Sequence, residues 1–237
     1  MNLSLRSCEI AEITLSDNKI IHESNIYADD RDEYIAAFRR QVFQLLKWGY
    51  ERLDLSKYKS SQEEVITGEL AKEINNLVQD RRYPGWVGRF YVHEEFRIND
   101  AHRVGKNRKR IDIKILYIQH GPRPYYPFEA KRLSAKGHPI NRYLGAEGLG
   151  EFLSGSYGRD VSEGGMIGFV QTGSIEQWAI KTQKKIHKSP IDFKLCNQEK
   201  CMFVKIVDGL DFCYLSMHNR ENGYSPISIY HLFLSFS

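Results

Sequence analysis

Two segments, Ile111–Ile118 and Tyr125–Lys131, alternate β-branched or aromatic residues with other side chains, and Gln119-His120-Gly121-Pro122-Arg123-Pro124 separates them. Alternation with period two marks strands, and Gly and Pro punctuate turns, so the stretch predicts an antiparallel hairpin. A turn centred between His120 and Gly121 sets Asp112 opposite Glu129, and Lys131, two residues along, shares the face of Glu129. Opposed residues of an antiparallel pair have Cβ atoms about 5 Å apart, so this register gathers two carboxylates and an ammonium.

Such a cluster is costly unless it does something. Ile111, Ile113, Phe128 and Ala130 flank it, and two carboxylates in apolar surroundings repel one another until a cation compensates. A hard divalent cation, Mg2+ or Mn2+, fits: magnesium favours oxygen ligands, and one or two carboxylates commonly hold it while waters fill the remaining positions. The chemistry that suits this arrangement is attack of an activated water on a phosphodiester. Lys131 would stabilise the pentavalent phosphate or help deprotonate the water.

Upstream, Ser60-Ser61-Gln62-Glu63-Glu64 opens a helix that continues to Val78. At about 100° per residue, Ile66, Leu70, Ile74 and Leu77 form one inward stripe. Glu63 falls inside that stripe, Glu73 lies near its edge, and Glu64 and Glu69 sit off it. Two readings of Glu63 stay open. It faces the sheet as a third acid, or it is half of a capping box, with Ser60 paired to Glu63 or Ser61 to Glu64.

Asp112, then Glu129-X-Lys131, with Glu63 on an upstream helix, resembles the PD-(D/E)XK nuclease superfamily of restriction-endonuclease-like enzymes. The likeness covers this core motif rather than the whole chain, and Ile111 stands where the motif name has Pro. It implies an α/β (α+β) fold, a mixed β-sheet flanked by helices, and magnesium-dependent hydrolysis of DNA. By the same resemblance Asp112 and Glu129 hold the metal, the Ala130 carbonyl completes a coordination position, Glu63 assists and Lys131 orients the water. It further implies bacterial defence against foreign DNA, such as restriction or an anti-phage system, beside a helicase or ATPase partner. Members of the superfamily often dimerise, and Ile227–Phe236 is either a core strand or the seam of a homodimer. Residue types do not separate DNA from RNA cleavage, or either from a catalytically silent module of the same fold that binds nucleic acid or a partner.

The run His102-Arg103-Val104-Gly105-Lys106-Asn107-Arg108-Lys109-Arg110 leads into the strand that carries Asp112. A formal net charge of +4 says little, but Arg103, Lys106, Arg108, Lys109 and Arg110, with Arg132, are expected to grip a phosphate backbone without reading sequence. Arg142, Tyr143 and Tyr157 would line the same cleft, and Ser216-X-His218-X-Arg220 would hold phosphate or support the site. His231, amid Ile229, Leu232 and Leu234, reads as a core histidine. Gly145-Ala146-Glu147-Gly148-Leu149-Gly150 lacks both the preceding strand and the Lys-Ser/Thr pair of a phosphate loop, so no nucleotide site is expected there.

With 237 residues and 41% hydrophobic content, one sizeable core is expected, residues 59–237, with residues 1–58 as an N-terminal extension packed on it. The extension holds strand-like pieces at Glu9–Leu15 and Lys19–His22 and a helix from Asp30 to Tyr50. Further elements are expected as a strand over Arg89–Ile98, a helix over Arg142–Leu153, a strand over Gly164–Gln171 and a helix over Ser174–Lys188. Strands at Met202–Val207, Phe212–Met217 and Ile227–Phe236 complete the set. Cys8, Cys196, Cys201 and Cys213 lack zinc spacing, and no window approaches a membrane span, so a cytoplasmic protein with reduced thiols is expected.

Overall fold

In a computed structural model of the chain, which describes residues 31–98, 108–118, 123–196 and 202–237, the alternating segments form three consecutive strands. They are β1 (Phe90–Arg97), β2 (Arg110–Tyr117) and β3 (Tyr125–Leu133), and β2 pairs antiparallel with both neighbours. Ile113 stands opposite Phe128 and Leu116 opposite Tyr125, the register expected from the sequence. His120 and Gly121, the strand-like pieces before residue 30, Arg103 and Lys106 lie outside the described residues.

Four more strands, β4 (Glu163–Val170), β5 (Met202–Phe203), β6 (Cys213–His218) and β7 (Ile227–Ser235), make up with them a mixed sheet of seven strands among the described residues. Its order is β1-β2-β3-β4-β7-β6-β5, and β4 runs parallel to β3 and β7. Parallel strands lie under cover on both faces, and the run Gly164-Gly165-Met166-Ile167-Gly168-Phe169-Val170 is buried throughout. Gly165 is small because the Phe128 ring lies where a Cβ would stand. The seam reading of Ile227–Phe236 fails: β7 pairs with β4 on one side and β6 on the other.

Among the described residues the helices are α1 (residues 31–51), α2 (Glu63–Gln79), α3 (Ile140–Leu144), α4 (Leu149–Leu153) and α5 (Ile175–Lys188), and the part of α1 from residue 42 onward, with the other four, flanks the sheet. The chain divides into compact units at residues 1–41 and 42–237, so residues 42–58, expected in the extension, belong with the sheet. Phe43 meets Tyr126, Phe128 and Tyr230 edge-on at 5.7–5.8 Å between ring centroids, and truncating such a ring to Ala costs about 3–5 kcal/mol. Strand alternation sends Leu133, Met166, Val170, Ile229 and Phe233 to the other side, where they pack with Tyr143, Leu149, Phe152, Trp178 and Ile186.

α2 buries Ile66, Leu70, Ile74 and Leu77, the stripe read from the sequence, together with Thr67 and Ala71, and it packs against β1, β2 and β3. Among the described residues β1 is an edge strand, and Asn75 closes part of that edge. Its carboxamide donates to the Val92 carbonyl at 2.9 Å and accepts the Val92 N–H at 3.1 Å.

The helix expected over Arg142–Leu153 is two helices, because Gly148 takes φ −129° and ψ −113° and a side chain there would strike the Tyr143 carbonyl. The strand expected at Met202–Val207 shrinks to Met202–Phe203. Cys196 and Cys213 are buried and form no disulfide, and among the described residues no helix is long and apolar enough to cross a membrane.

Candidate active site

β2 and β3 stop pairing at Ile113 and Phe128, one step before Asp112 and Glu129, while β3 runs on beside β4 to Leu133. The strands fork there. The backbone N–H groups of β3 beyond the fork find side chains instead of a strand. Asp112 Oδ2 accepts the Ala130 N–H at 2.7 Å, and Glu63 Oε2 accepts the Arg132 N–H at 2.9 Å. Glu63 is the first residue of α2, so the start of that helix fills the fork.

Lys131 sits at the centre. Its ammonium donates to Glu129 Oε1 at 2.6 Å, Ala130 O at 2.8 Å and Glu63 Oε1 at 3.0 Å, with Asp112 Oδ2 at 3.9 Å. Glu129 and Lys131 are only 3% and 6% exposed. Burial pushes the Glu129 carboxyl well above the usual carboxylate range, with repulsion from Asp112 adding to it. Burial raises Asp112 too, against the pull of Lys131 and the Ala130 N–H. For Lys131 burial favours the neutral amine, but Glu129, Asp112 and Glu63 together outweigh it and hold the ammonium protonated. In this arrangement Lys131 is a hydrogen-bond donor to Glu63, Glu129 and the Ala130 carbonyl.

The structure thus brings Asp112, Glu129, Lys131 and Glu63 together. The capping box is absent: Gln62 is the N-cap without a side-chain bond, and Ser61 Oγ turns back to the Lys57 carbonyl at 3.2 Å. Glu69 pairs with Lys72, and Glu73 with Arg52, so neither enters the fork.

Asp112 and Glu63 open onto a cleft of about 660 Å³ that Glu64, Thr67, Gly68, Glu94, Glu95 and Arg110 also line. Two of its features escape sequence reading. Thr67, one turn beyond Glu63, is buried with its hydroxyl unbonded. Glu95, which continues the β1–β2 register opposite Asp112, adopts a φ of +46°, rare for a residue with a side chain, and pairs with Arg110 at 2.6 Å.

The basic residues divide differently from expectation. Lys109 pairs with Glu151 and bonds Ser156, while Arg110 pairs with Glu95, so acids remote in sequence claim both. Arg108 is half-buried. The Arg132 guanidinium turns from the cleft to the Ser61 carbonyl at 3.3 Å. Tyr143 and Tyr157 are buried rather than cleft-lining; the Tyr157 phenol donates to the Arg110 carbonyl. Arg142 alone of that trio is exposed, and it pairs with Glu147.

Ser216, His218 and Arg220 hold no phosphate site either, because all three are buried and engaged. Arg220 donates to the Ser225 and Gly158 carbonyls. His218 and His231 both bond Ser216 Oγ, at 2.7 and 2.8 Å, and their other nitrogens reach Phe193 O and the Tyr143 hydroxyl. His231 is the satisfied core histidine that its neighbours suggest.

Among the described residues, no three His, Cys, Asp or Glu side chains are arranged to hold a metal ion. The donors at the fork suit a hard cation with fewer protein ligands. Glu129 Oε2 is buried with no hydrogen-bond partner, Asp112 adjoins it, and magnesium commonly needs no more than two carboxylates. The Ala130 carbonyl is a ligand only when the Lys131 ammonium leaves it. No protein-family model, curated protein or solved structure matches the chain.

Proposed function

We propose that the chain is a metal-dependent nuclease of the restriction-endonuclease-like, PD-(D/E)XK type that hydrolyses DNA phosphodiesters. The observation that carries this reading is the convergence of Asp112, Glu129 and Glu63 on Lys131 at the β2–β3 fork. Asp112 and Glu129 hold the cation, with Glu63 beside them. Bound there, Mg2+ or Mn2+ would neutralise the acids and make a water more acidic. Lys131, fixed as an ammonium, donates to the phosphate oxygens and orients the attacking water. The cleft itself supports a metal requirement. Five carboxylates and one guanidinium line it, a surface that repels a polyanion until a divalent cation is present. Defence against foreign DNA, with a helicase or ATPase partner or as a homodimer, is the biological setting that the resemblance implies.

A second reading, a catalytically silent module that binds nucleic acid or a partner, draws on the same bonds. Asp112 and Glu63 satisfy backbone N–H groups of β3 and would be kept for that alone. Incubation of wild type, Asp112→Ala and Lys131→Ala with plasmid, linear duplex, single-stranded DNA and RNA, in magnesium or chelator, separates the two. Cutting of DNA by wild type in magnesium alone is expected, lost in both variants. Wild type that leaves every substrate intact overturns the nuclease reading, and cutting confined to RNA corrects the substrate.

A further inference from the structure

We infer that Gln171 is the positioning residue that delivers Glu63 to the fork, an inference that rests on the proposed role of Glu63 in the centre. α2 begins without a side-chain cap of its own, so nothing within its first turn fixes the direction of Glu63. Besides the local bonds from Ser61 Oγ to the Lys57 carbonyl and from the Ser61 N–H to the Tyr58 carbonyl, a clamp from the sheet holds the start. Gln171 Nε2 donates to the Ser61 carbonyl at 2.9 Å and to the Tyr58 carbonyl at 3.1 Å. The Arg132 guanidinium adds a second bond to the Ser61 carbonyl.

The base of the clamp is rigid. Gln171 follows the last residue of β4, its own N–H donates to the Leu133 carbonyl at 2.9 Å, and the Val170 carbonyl accepts the Phe236 N–H at 2.7 Å. From Ser61 the chain has two residues to reach Glu63, which then spans consecutive residues of β3 through the Lys131 ammonium and the Arg132 N–H. One carboxamide, anchored where β3 and β4 end, thus sets the loop that sets the acid.

The chemistry also explains the residue type. Two carbonyl acceptors need two N–H groups, and a terminal carboxamide supplies both on one nitrogen. A carboxylate at the same place would face two carbonyl oxygens, so Gln171→Glu is expected to harm more than Gln171→Ala.

Two measurements on the full-length chain test this. The first needs no metal: the exchange rate of the Arg132 amide, protected by Glu63, read by NMR. In Gln171→Ala and the length-preserving Gln171→Met, Arg132 exchange is expected to rise at least tenfold, as in Glu63→Ala. The residue 171 amide, bound to Leu133, should stay protected as the control for an intact sheet. Unchanged Arg132 exchange in both Gln171 variants overturns the proposal. The second is Mn2+ affinity by calorimetry, expected to fall about tenfold, the low end for losing a group that orients a metal site. Faster Arg132 exchange with unaltered Mn2+ affinity overturns the functional half. Wild type that takes up no Mn2+ while Arg132 exchange responds sinks the metal reading and leaves the positioning role standing.

Discussion

The Asp112 carboxylate accepts the Ala130 backbone N–H at 2.7 Å, at the point where the strands that carry them have parted. One side chain both closes a gap in the sheet and faces the cleft, so its two jobs are separable by mutation. Asp112→Asn keeps an acceptor for Ala130, whereas Asp112→Ala leaves a buried N–H unsatisfied at a cost of about 1–3 kcal/mol. Urea denaturation in chelator should rank Ala below Asn by that margin, while neither variant takes up Mn2+. Equal stability of the two variants would mean that Asp112 does not hold β3.

Lys131 is the internal counter-ion of three acids. Lys131→Met leaves them uncompensated, and breaking a buried pair from one side costs about 3–5 kcal/mol. The loss should be larger at pH 8 than at pH 5, because the raised affinity of Glu129 for protons neutralises that acid as pH falls. Denaturation midpoints at the two pH values check this, and a loss independent of pH would refute it.

Proton release should accompany metal uptake. Burial keeps Glu129 and Asp112 above the usual carboxylate range, so the metal-free site retains proton that a cation must displace. Mn2+ affinity therefore rises with pH from the ordinary carboxylate range upward. Calorimetry in buffers of different ionisation enthalpy reads the protons directly; identical heats in all buffers would contradict the shifted acids.

Burial lowers His218 to about 4 and His231 to about 3, with the His218 charge adding to the effect on His231. Because the folded values lie below the unfolded value near 6.5, stability is fully present above that pH and drains away as pH falls toward 4. For His218 alone the loss is on the order of 3 kcal/mol. Imidazole resonances of both residues should stay neutral down to pH 5. A midpoint above 6 for either would show that the Ser216 network tolerates charge.

Asn75→Ala should uncover the Val92 N–H and C=O on the edge of β1. Concentration-dependent association, seen by sedimentation velocity, is the expected result, and a strictly monomeric variant at every concentration counts against it.

How far these relationships could be read in advance depended on their range in sequence. The Ile113–Phe128 register followed from turn length, and Glu63 followed from the wheel that sets Ile66, Leu70 and Ile74 inward. Tertiary contacts overruled local chemistry at Ser60 and Ser61, because Lys131 and the Arg132 N–H claim the Glu63 carboxylate that a capping box needs. Where such a claim was absent, at Ser174 and Gln177, the box formed. The partners of Lys109 and Arg110 lie across 42 and 15 residues, and no spacing rule announces them. Tyr157 read as a cleft residue and Arg220 as a phosphate or supporting group because aromatic and basic side chains suit such roles, yet their bonds to the Arg110, Gly158 and Ser225 carbonyls place them inside the protein.

The fork leaves β3 with two amide groups that only acids from other elements reach, Asp112 for Ala130 and Glu63 for Arg132. Chemistry and architecture are therefore entangled in descent. Even without the proposed nuclease activity a lineage could not discard these acids freely, since a small apolar substitute would unfasten the strand. Retired copies of this protein are expected to carry Asn at 112 and Gln at 63, inert groups that still accept the same two protons.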